Sequence, residues 1–146
     1  MDEEDLEAAA AEAAVREAVS ITAEEALERG LAIIERNYAG SVQRGKLGED
    51  EATECRRRIK GATDYAALAD VDLVVEAVFE DPELKKEIFA KLGAACKPGA
   101  ILATNTSYQD VNEIAAATDR PGDVLGMHFL SPAHLMKLLG VVHASK

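Results

Sequence analysis

The sequence is poor in aromatic residues and in cysteine. Aromatic residues make up 4% of the 146 residues and tryptophan is absent, although 48% of the chain is hydrophobic. Any core must therefore be built mainly from aliphatic side chains. Cys55 and Cys96 are too few for a disulfide framework, which favours a reducing compartment, and we expect a cytoplasmic protein. No cysteine and histidine group has metal-ligand spacing, so no metal site is predicted.

The sequence also lacks long apolar runs and an excess of positive charge. No apolar run is long enough to cross a bilayer, and no signal-peptide pattern is present. The formal net charge is −11, and so acidic a chain has no electrostatic reason to bind nucleic acid or an anionic membrane. We therefore expect no nucleic-acid and no membrane partner. The length favours a single domain over residues 1–146.

The first 60 residues have the pattern of helices. Residues 1–21 are rich in alanine and glutamate and predict an atypical helical amino terminus. Residues 22–60 form a helical segment, in which Thr22 and Glu25 have the spacing of a capping box. The apolar positions that follow recur at steps of three or four, at Leu27, Leu31, Ile34 and Tyr38. This periodicity predicts a helix over 23–45, with a further helix over 49–58.

Residues 61–146 have an alternating pattern of strands and helices. The β-branched run "DLVVEAV" predicts a strand buried on both faces. A helix follows, with Asp81 as its cap and Pro82 at its first position. Next come a strand in "KPGAILATN", a helix in "QDVNEIAAAT", a strand in "RPGDVLGMHF" and a fourth strand in "MKLLGVVHA". The sequence thus predicts an α/β fold: an incomplete doubly wound, Rossmann-like parallel sheet with a helical amino-terminal part.

Three segments of this α/β part carry a family resemblance. "DLVVEAVFEDPELKKEIFAKL", "ATNTS" and "GMHFLSP" follow one another in that order. In this combination they resemble the NAD-binding domain of the L-3-hydroxyacyl-CoA dehydrogenase family, which includes 3-hydroxybutyryl-CoA dehydrogenases. The resemblance extends over about residues 22–142. It implies NAD as cofactor, an acyl-CoA substrate, and oxidation of a 3-hydroxyacyl thioester.

The resemblance also assigns candidate site residues. Glu80 and Lys85 match positions that line the nicotinamide end of the cofactor site, and Asn105 matches one near the nicotinamide ribose. Ser107 matches a residue that contacts the substrate, and His128 matches the catalytic base. An imidazole titrates near working pH, and an adjacent carboxylate would hold its tautomer. An ordinary histidine at a strand end is the alternative for His128.

Three departures from the family pattern bear on activity. No G-x-G-x-x-G occurs in the 146 residues, and Ile21 stands where an acidic residue would hold the adenosine ribose. Gly140 stands where the family has the glutamate that pairs with the histidine. Loss of the orienting member of a Ser-His-Asp triad costs about 10⁴ in rate. The family's second, helical domain does not follow Lys146. We therefore expect a truncated or re-engineered NAD-binding domain whose catalysis is lost.

A second hypothesis is a non-catalytic folding, assembly or interaction module. Without the central first strand of the doubly wound order, the strand at 71–77 would have an open apolar edge, and such edges invite pairing. Residues 14–21 could fill the gap as a strand, the amino-terminal helix could cover it, or two chains could exchange elements. We expect self-association into a homo-oligomer. A weaker third hypothesis is residual binding of CoA or nucleotide without turnover.

The matched residues also have purely structural interpretations. Asn105 and Ser107 could cap the turn that leads into the next helix, because asparagine and serine favour caps. Glu80 could be an acid at a helix start and Lys85 a solvated lysine. Glu76, beside two valines of the strand, is expected to face the sheet edge or to pair with a lysine. The sequence leaves these alternatives open.

Overall fold

The computed structural model describes residues 22–130 and 135–144. The chain divides into two compact units, residues 1–63 and residues 64–146. The helix predicted within residues 1–21, and the arrangements proposed for that segment, lie outside the described residues. The prediction of one domain over the whole chain stays a prediction.

The first unit contains two helices, α1 (Ala23–Gln43) and α2 (Glu49–Arg57). The capping box is present as predicted: Thr22 Oγ1 accepts from the Glu25 backbone N–H, and the Glu25 carboxylate accepts from the Thr22 N–H. Helix α1 ends two residues before the predicted end. A turn follows in which Gly45 adopts a left-handed φ of 65°, a conformation that favours glycine.

The apolar face predicted for α1 is present but only half-buried. Its members are Leu27, Leu31, Ile34 and Tyr38. Ala52 of α2 is the one fully buried residue among the described residues of this unit. Arg56 of α2 also donates to Glu35 of α1 at 2.6 Å. Since exposed ion pairs contribute little, the two helices are held together mainly by this thin apolar contact.

The second unit is built on a four-stranded sheet. Its strands are β1 (Leu73–Glu76), β2 (Ile101–Thr104), β3 (Val124–Phe129) and β4 (Leu139–His143). They lie in the order β1-β2-β3-β4, and the first three are parallel. Strand β4 is antiparallel to β3. The predicted α/β, Rossmann-like fold is confirmed, with one antiparallel strand added at the edge.

Two helices connect the parallel strands. Helix α3 (Pro82–Ala95) links β1 to β2, and its cap Asp81 accepts from two backbone N–H groups through Oδ1, as the sequence predicts. Helix α4 (Val111–Ala115) is capped by Asp110 and is shorter than the predicted helix. Short 3₁₀ turns precede β1 and β3. The carboxyl ends of the three parallel strands therefore lead into three turns. One precedes α3, one precedes α4, and one follows β3.

The core of this unit is small and almost entirely aliphatic. Phe89 of α3 is fully buried and is the only aromatic residue among the described residues of the core. It clusters with Leu92, Cys96, Ala100, Leu102, Val111, Ile114, Ala115 and Val124. The expectation of an aliphatic core is confirmed, and Cys96 is a core residue rather than a disulfide partner.

Strand β1 lies at the edge of the sheet. Leu73 is 45% exposed and Val75 is 40% exposed. The prediction that this strand is buried on both faces is therefore wrong. The reason is its position in the sheet: among the described residues, β1 pairs with β2 and with no strand on its other side. The open apolar edge expected from the missing central strand is present in this part of the chain.

Candidate functional site

The five candidate residues lie on the three segments that leave the parallel strands. Glu80 and Lys85 follow β1, Asn105 and Ser107 follow β2, and His128 is the penultimate residue of β3. Because the carboxyl ends of parallel strands meet at one edge of a sheet, the topology gathers all three segments there. This is the edge at which ligands bind in open α/β sheets.

Glu76, at the end of β1, is the centre of a buried polar cluster. Its Oε1 accepts from Lys85 Nζ at 2.8 Å and from the Val78 N–H at 2.6 Å. Its Oε2 accepts from Thr104 Oγ1 at 2.7 Å. The interpretation of Glu76 as the partner of a lysine is confirmed. A buried charge without such partners would be costly, so the cluster fixes the end of β1 against α3 and β2.

Lys85 is not the solvated lysine that the structural alternative proposed. Its exposed fraction is 0%, and its ammonium lies against Glu76 and the carbonyl oxygen of Val78. Direct contact with a cofactor would require this ion pair to open. The predicted cofactor role of Lys85 stays a prediction, and what the geometry provides is support for the turn that carries Glu80.

Asn105 ties together the ends of the three parallel strands. Its backbone N–H donates to the Glu76 carbonyl oxygen at 2.7 Å, at the end of β1. Its side-chain Oδ1 accepts from the Phe129 N–H at 3.0 Å, at the end of β3. The side chain is thus committed to β3 and does not cap a helix. Asn105 therefore sets the separation between the segments that hold Glu80 and His128.

Thr106 organises the turn after β2. Its hydroxyl donates to Glu80 Oε2 at 2.9 Å and accepts from the Gln109 N–H at 3.1 Å. Asp110, rather than Asn105 or Ser107, caps the following helix, so the capping interpretation of those two residues is wrong. Sequence reasoning missed Thr106. The available signal was its residue type, because a threonine hydroxyl in a turn often accepts from a backbone N–H a few residues further on.

A pocket of about 400 Å³ lies beside this turn. His128 and Ser107 both line it, as do Gln109, Asp110 and Gly140. The structure thus brings together the two residues that the resemblance assigned to the substrate. Gln109 and Asp110 were not singled out from the sequence, because polar residues before a short helix are ordinary turn residues.

Gly140 lies directly across the sheet from His128. The two residues are paired in the antiparallel register of β3 and β4. A Cβ built on Gly140 would come within 3.8 Å of His128 Cβ, which is ordinary contact. His128 Nδ1 is buried and has no hydrogen-bond partner in the part of the chain that is described. The position of the missing carboxylate is therefore on the residue paired with His128, whose Nδ1 lacks a partner among the described residues.

The segment after β1 presents an apolar surface. Val78, Phe79, Leu84 and Ile88 line an open pocket there together with Glu80, and Phe79 is 87% exposed. Such a surface suits one face of a flat aromatic ring, as a nicotinamide would require. The edge thus has the apolar and polar groups expected at the nicotinamide end of a cofactor site.

The same edge does not fit a pyrophosphate. In the doubly wound order, the glycines that let the backbone approach a pyrophosphate lie in the turn after the first strand. The 146 residues contain no G-x-G-x-x-G that could form this turn. The first N–H groups of α3 and α4 are occupied by the carboxylates of Asp81 and Asp110, which would also repel phosphate. We therefore derive no step through NAD in this chain.

The described residues contain neither a metal cluster nor a membrane-spanning helix. Within 22–130 and 135–144, no group of three histidine, cysteine, aspartate or glutamate side chains is arranged to hold a metal ion. His134 lies outside those ranges. In the same ranges, no helix is both long and apolar enough to cross a membrane.

Comparison with known proteins gives a consistent result. The family model described as 3-hydroxyacyl-CoA dehydrogenase, NAD binding domain, matches residues 5–146. A 3-hydroxybutyryl-CoA dehydrogenase of Clostridioides difficile is 40% identical over 117 residues, 80% of this chain and 42% of that protein. A peroxisomal fatty acid beta-oxidation multifunctional protein of Oryza sativa is 44% identical over 82% of this chain and 16% of its own length.

Solved structures show the same similarity in three dimensions. A 3-hydroxybutyryl-CoA dehydrogenase from Escherichia coli matches with a TM-score of 0.79 and 42% identity, over 84% of this chain and 26% of that one. An (S)-3-hydroxybutyryl-CoA dehydrogenase from Ralstonia eutropha matches with a TM-score of 0.80 and 30% identity, over 85% and 44%. The chain spans less than half the length of these relatives.

Proposed function

The chain belongs to the 3-hydroxyacyl-CoA dehydrogenase family, whose NAD-binding domain it matches, and we propose that it keeps the histidine of that active site and the pocket beside it but does not turn substrate over at a useful rate. The family uses NAD as cofactor and acts on acyl-CoA substrates. The function inherited by this chain is therefore NAD-dependent oxidation of 3-hydroxyacyl-CoA. That the 146-residue chain itself would use this cofactor and this class of substrate is our proposal.

The proposed roles follow from where the side chains lie. His128 would take the hydroxyl proton of a 3-hydroxyacyl thioester, and Ser107, in the same pocket, would orient that substrate. Asn105 and Glu80 would stand at the nicotinamide end, where hydrogen bonds to Phe129 and Thr106 fix them. Asn105 and Glu80 are thus each held by a neighbouring segment, which is the preorganisation that catalysis requires.

One observation supports the loss of turnover most directly. His128 Nδ1 is buried without a hydrogen-bond partner among the described residues, and the residue across from it is Gly140. A catalytic imidazole needs an acceptor at its second nitrogen to hold its tautomer and to stabilise the imidazolium. With glycine there, the described residues provide neither, and proton transfer at the other nitrogen is poorly supported.

We expect the purified chain to bind NADH only at millimolar concentrations or above. The 146 residues contain no G-x-G-x-x-G turn for a pyrophosphate, and Asp81 and Asp110 already accept from the first free N–H groups of α3 and α4. A titration followed by NADH fluorescence measures this, with the Clostridioides difficile relative titrated in parallel as the positive control. Saturable binding at micromolar NADH would contradict the prediction and would show that another segment provides the phosphate site.

The open edge of β1 favours a second candidate function, self-association as an assembly module. Leu73 and Val75 are exposed, and the outer side of β1 pairs with no described strand. Unpaired N–H and C=O groups flanked by apolar side chains form a template for another strand. A second copy of the chain would satisfy these groups, and it would do so without any cofactor.

Replacing Val75 with lysine is expected to reduce self-association. A lysine on an edge strand opposes strand pairing because its charge would be desolvated in the interface. Val141→Lys, on the other edge strand β4 and 52% exposed in the parent, is the matched comparison and should leave association unchanged if β1 is the strand that pairs. Sedimentation velocity over a concentration series measures both. A parent chain that is monomeric throughout, or equal effects of both variants, would rule out pairing through β1.

We also propose that the protein is cytoplasmic. It is supported by the two free cysteines, Cys55 and Cys96, because free thiols persist in reducing compartments. Several relatives are peroxisomal or glyoxysomal proteins by name, so the family occurs in more than one compartment. Microscopy of a tagged chain would separate the two locations.

A further inference from the structure

The basic residues of this acidic chain are concentrated in one short stretch. Four of its 16 lysine and arginine residues lie within "RRRIK", residues 56–60. Arg57 and Arg58 form ion pairs with Glu54, yet their side chains are 77% and 72% exposed. Since exposed pairs of this kind hold their side chains only weakly, a protein that recognises lysine or arginine can reach them here.

The backbone that follows this stretch is exposed and belongs to no helix or strand. Residues 57–67 are all exposed, and residues 58–64 connect α2 to the short 3₁₀ turn that precedes β1. Within the described residues, the backbone N–H groups of residues 60–63 form no hydrogen bond. A Cβ built on Gly61 would come within 2.9 Å of Leu27 Cδ2, so the segment rests against the end of that side chain. It can therefore be displaced without breaking backbone hydrogen bonds.

Such a segment is a favourable substrate for a protease. A protease binds its substrate as an extended chain, so the rate of cleavage depends on how often a segment is free of its own structure. Exposed loops with small and polar residues are accordingly the preferred sites of cleavage. Lys60 is followed by Gly61, Ala62 and Thr63. The bond after Lys60 therefore combines a basic side chain with small neighbours and an unpaired backbone.

The other lysine and arginine residues of the described chain are less suitable for such an enzyme. Arg44 and Lys46 lie in the turn after α1, which three backbone hydrogen bonds close. Lys137 lies two residues before β4, whose first residue, Leu139, is paired with Phe129. The remainder lie within helices or directly before a proline, which trypsin-like proteases do not accept after the cleaved bond. They are Arg29 and Arg36 in α1, Lys85, Lys86 and Lys91 in α3, and Lys97 and Arg120 before Pro98 and Pro121.

The second unit has a core of its own. The buried cluster around Phe89, and the residues packed against it from Leu68 to Ala144, all lie within residues 64–146. The buried pair of Glu76 and Lys85 lies there too, as do all five candidate site residues. A cut before residue 64 therefore removes no member of that core.

We propose that the Lys60–Gly61 bond is a proteolytic processing site, cleaved by a protease that selects lysine or arginine, and that residues 61–146 remain folded after the cut. Hydrolysis breaks the bond between the Lys60 carbonyl carbon and the Gly61 nitrogen, and water supplies a hydroxyl group to the carbon and a proton to the nitrogen. The product fragment keeps all five candidate site residues. The inference depends on the accessibility of the backbone, so it stands or fails independently of NAD binding and of turnover.

Limited digestion of the full chain with trypsin, under native conditions, tests the proposal. Mass spectrometry over a time course identifies the fragments in their order of appearance. Among cuts between residues 22 and 144, we expect the one that releases 61–146 to come first. It should be at least about tenfold faster than cleavage at Arg44, Lys46 or Lys137, because its bond needs no prior opening of the structure. Amide hydrogen exchange of the digested sample should then show protection of β1, β2 and β3 equal to that in the uncut chain.

Two variants make the test specific. The triple variant Arg57→Gln, Arg58→Gln and Lys60→Gln should slow cleavage between residues 22 and 144 at least about tenfold, because the remaining sites need opening. Lys137→Gln, also at an exposed lysine, is the matched control and should leave that rate unchanged. If circular dichroism shows that the triple variant is misfolded, Lys60→Gln alone serves and should abolish the fragment that begins at Gly61. A first cut at any other bond between residues 22 and 144 would overturn the proposal. So would a fragment 61–146 that is degraded as fast as it forms, or equal rates in the triple variant and the control.

Discussion

Replacing Lys85 with methionine is expected to destabilise the second unit by about 3–5 kcal/mol. The lysine ammonium is fully buried and lies 2.8 Å from Glu76 Oε1, whose side chain is itself 2% exposed. Methionine preserves the length and the apolar contacts of the side chain but leaves the carboxylate buried without a counter-charge. Chemical denaturation of parent and variant, followed by circular dichroism, measures the difference in the free energy of unfolding.

A second substitution at Glu76 separates charge from packing. Glu76→Gln keeps an acceptor for the Val78 N–H and a polar partner for the Thr104 hydroxyl, but removes the buried negative charge. The double variant Lys85→Met with Glu76→Gln should therefore be more stable than Lys85→Met alone, since neighbouring groups couple. If Lys85→Met costs less than about 1 kcal/mol, as expected for an exposed pair, the ion pair is not buried as described.

Replacing Phe89 with alanine should cost about 3–5 kcal/mol as well, which is typical of a buried phenylalanine. Phe89 is 0% exposed and is the aromatic centre of a core made of small and aliphatic side chains. Few neighbours are large enough to move into the space that the ring would leave. Stabilities of natural domains are about 5–15 kcal/mol, so this variant should be largely unfolded at moderate denaturant concentration.

Phe79 provides the matched control for that experiment. It is the same residue type in the same unit, but it is 87% exposed. Phe79→Ala should change the free energy of unfolding by less than about 0.5 kcal/mol, as surface substitutions usually do. Similar losses for both variants would mean that Phe79 is covered in solution. A partner bound against the apolar surface beside β1 would explain that result.

Local features of the fold were predictable because their causes are local. The capping box at Thr22 and Glu25, and the start of α3 at Asp81 and Pro82, depend on residues within one helical turn. The structure confirms both. The order of strands and helices also followed from the alternation of β-branched runs and helical patterns.

Features that depend on distant residues were less predictable. The prediction that β1 is buried on both faces was wrong because the exposure of a strand depends on which strands flank it, not on its own valines. Lys85 was taken for a solvated residue because the sequence does not show that it reaches Glu76 nine positions earlier. In the site, His128 and Gly140 could be paired from the family pattern, whereas Gln109 could not, because its burial depends on how α4 packs.

The site has hydrogen bonds that hold its segments in place, but it lacks one functional group. Asn105 and Thr106 hold the three segments at fixed separations, and the Glu76 and Lys85 pair fixes the segment after β1. The scaffold that would position a reaction is therefore present. What the described residues do not provide is an acceptor at His128 Nδ1 or a turn that fits phosphate.

The rate of acetoacetyl-CoA reduction by NADH, compared between the parent chain and His128→Ala, tests this account most directly. We expect equal rates, because an imidazole without an oriented partner adds nothing measurable when the cofactor is barely bound. Turnover by the parent well above that of His128→Ala would contradict it. The histidine would then be a working base, and the group that supports it would lie outside the described residues.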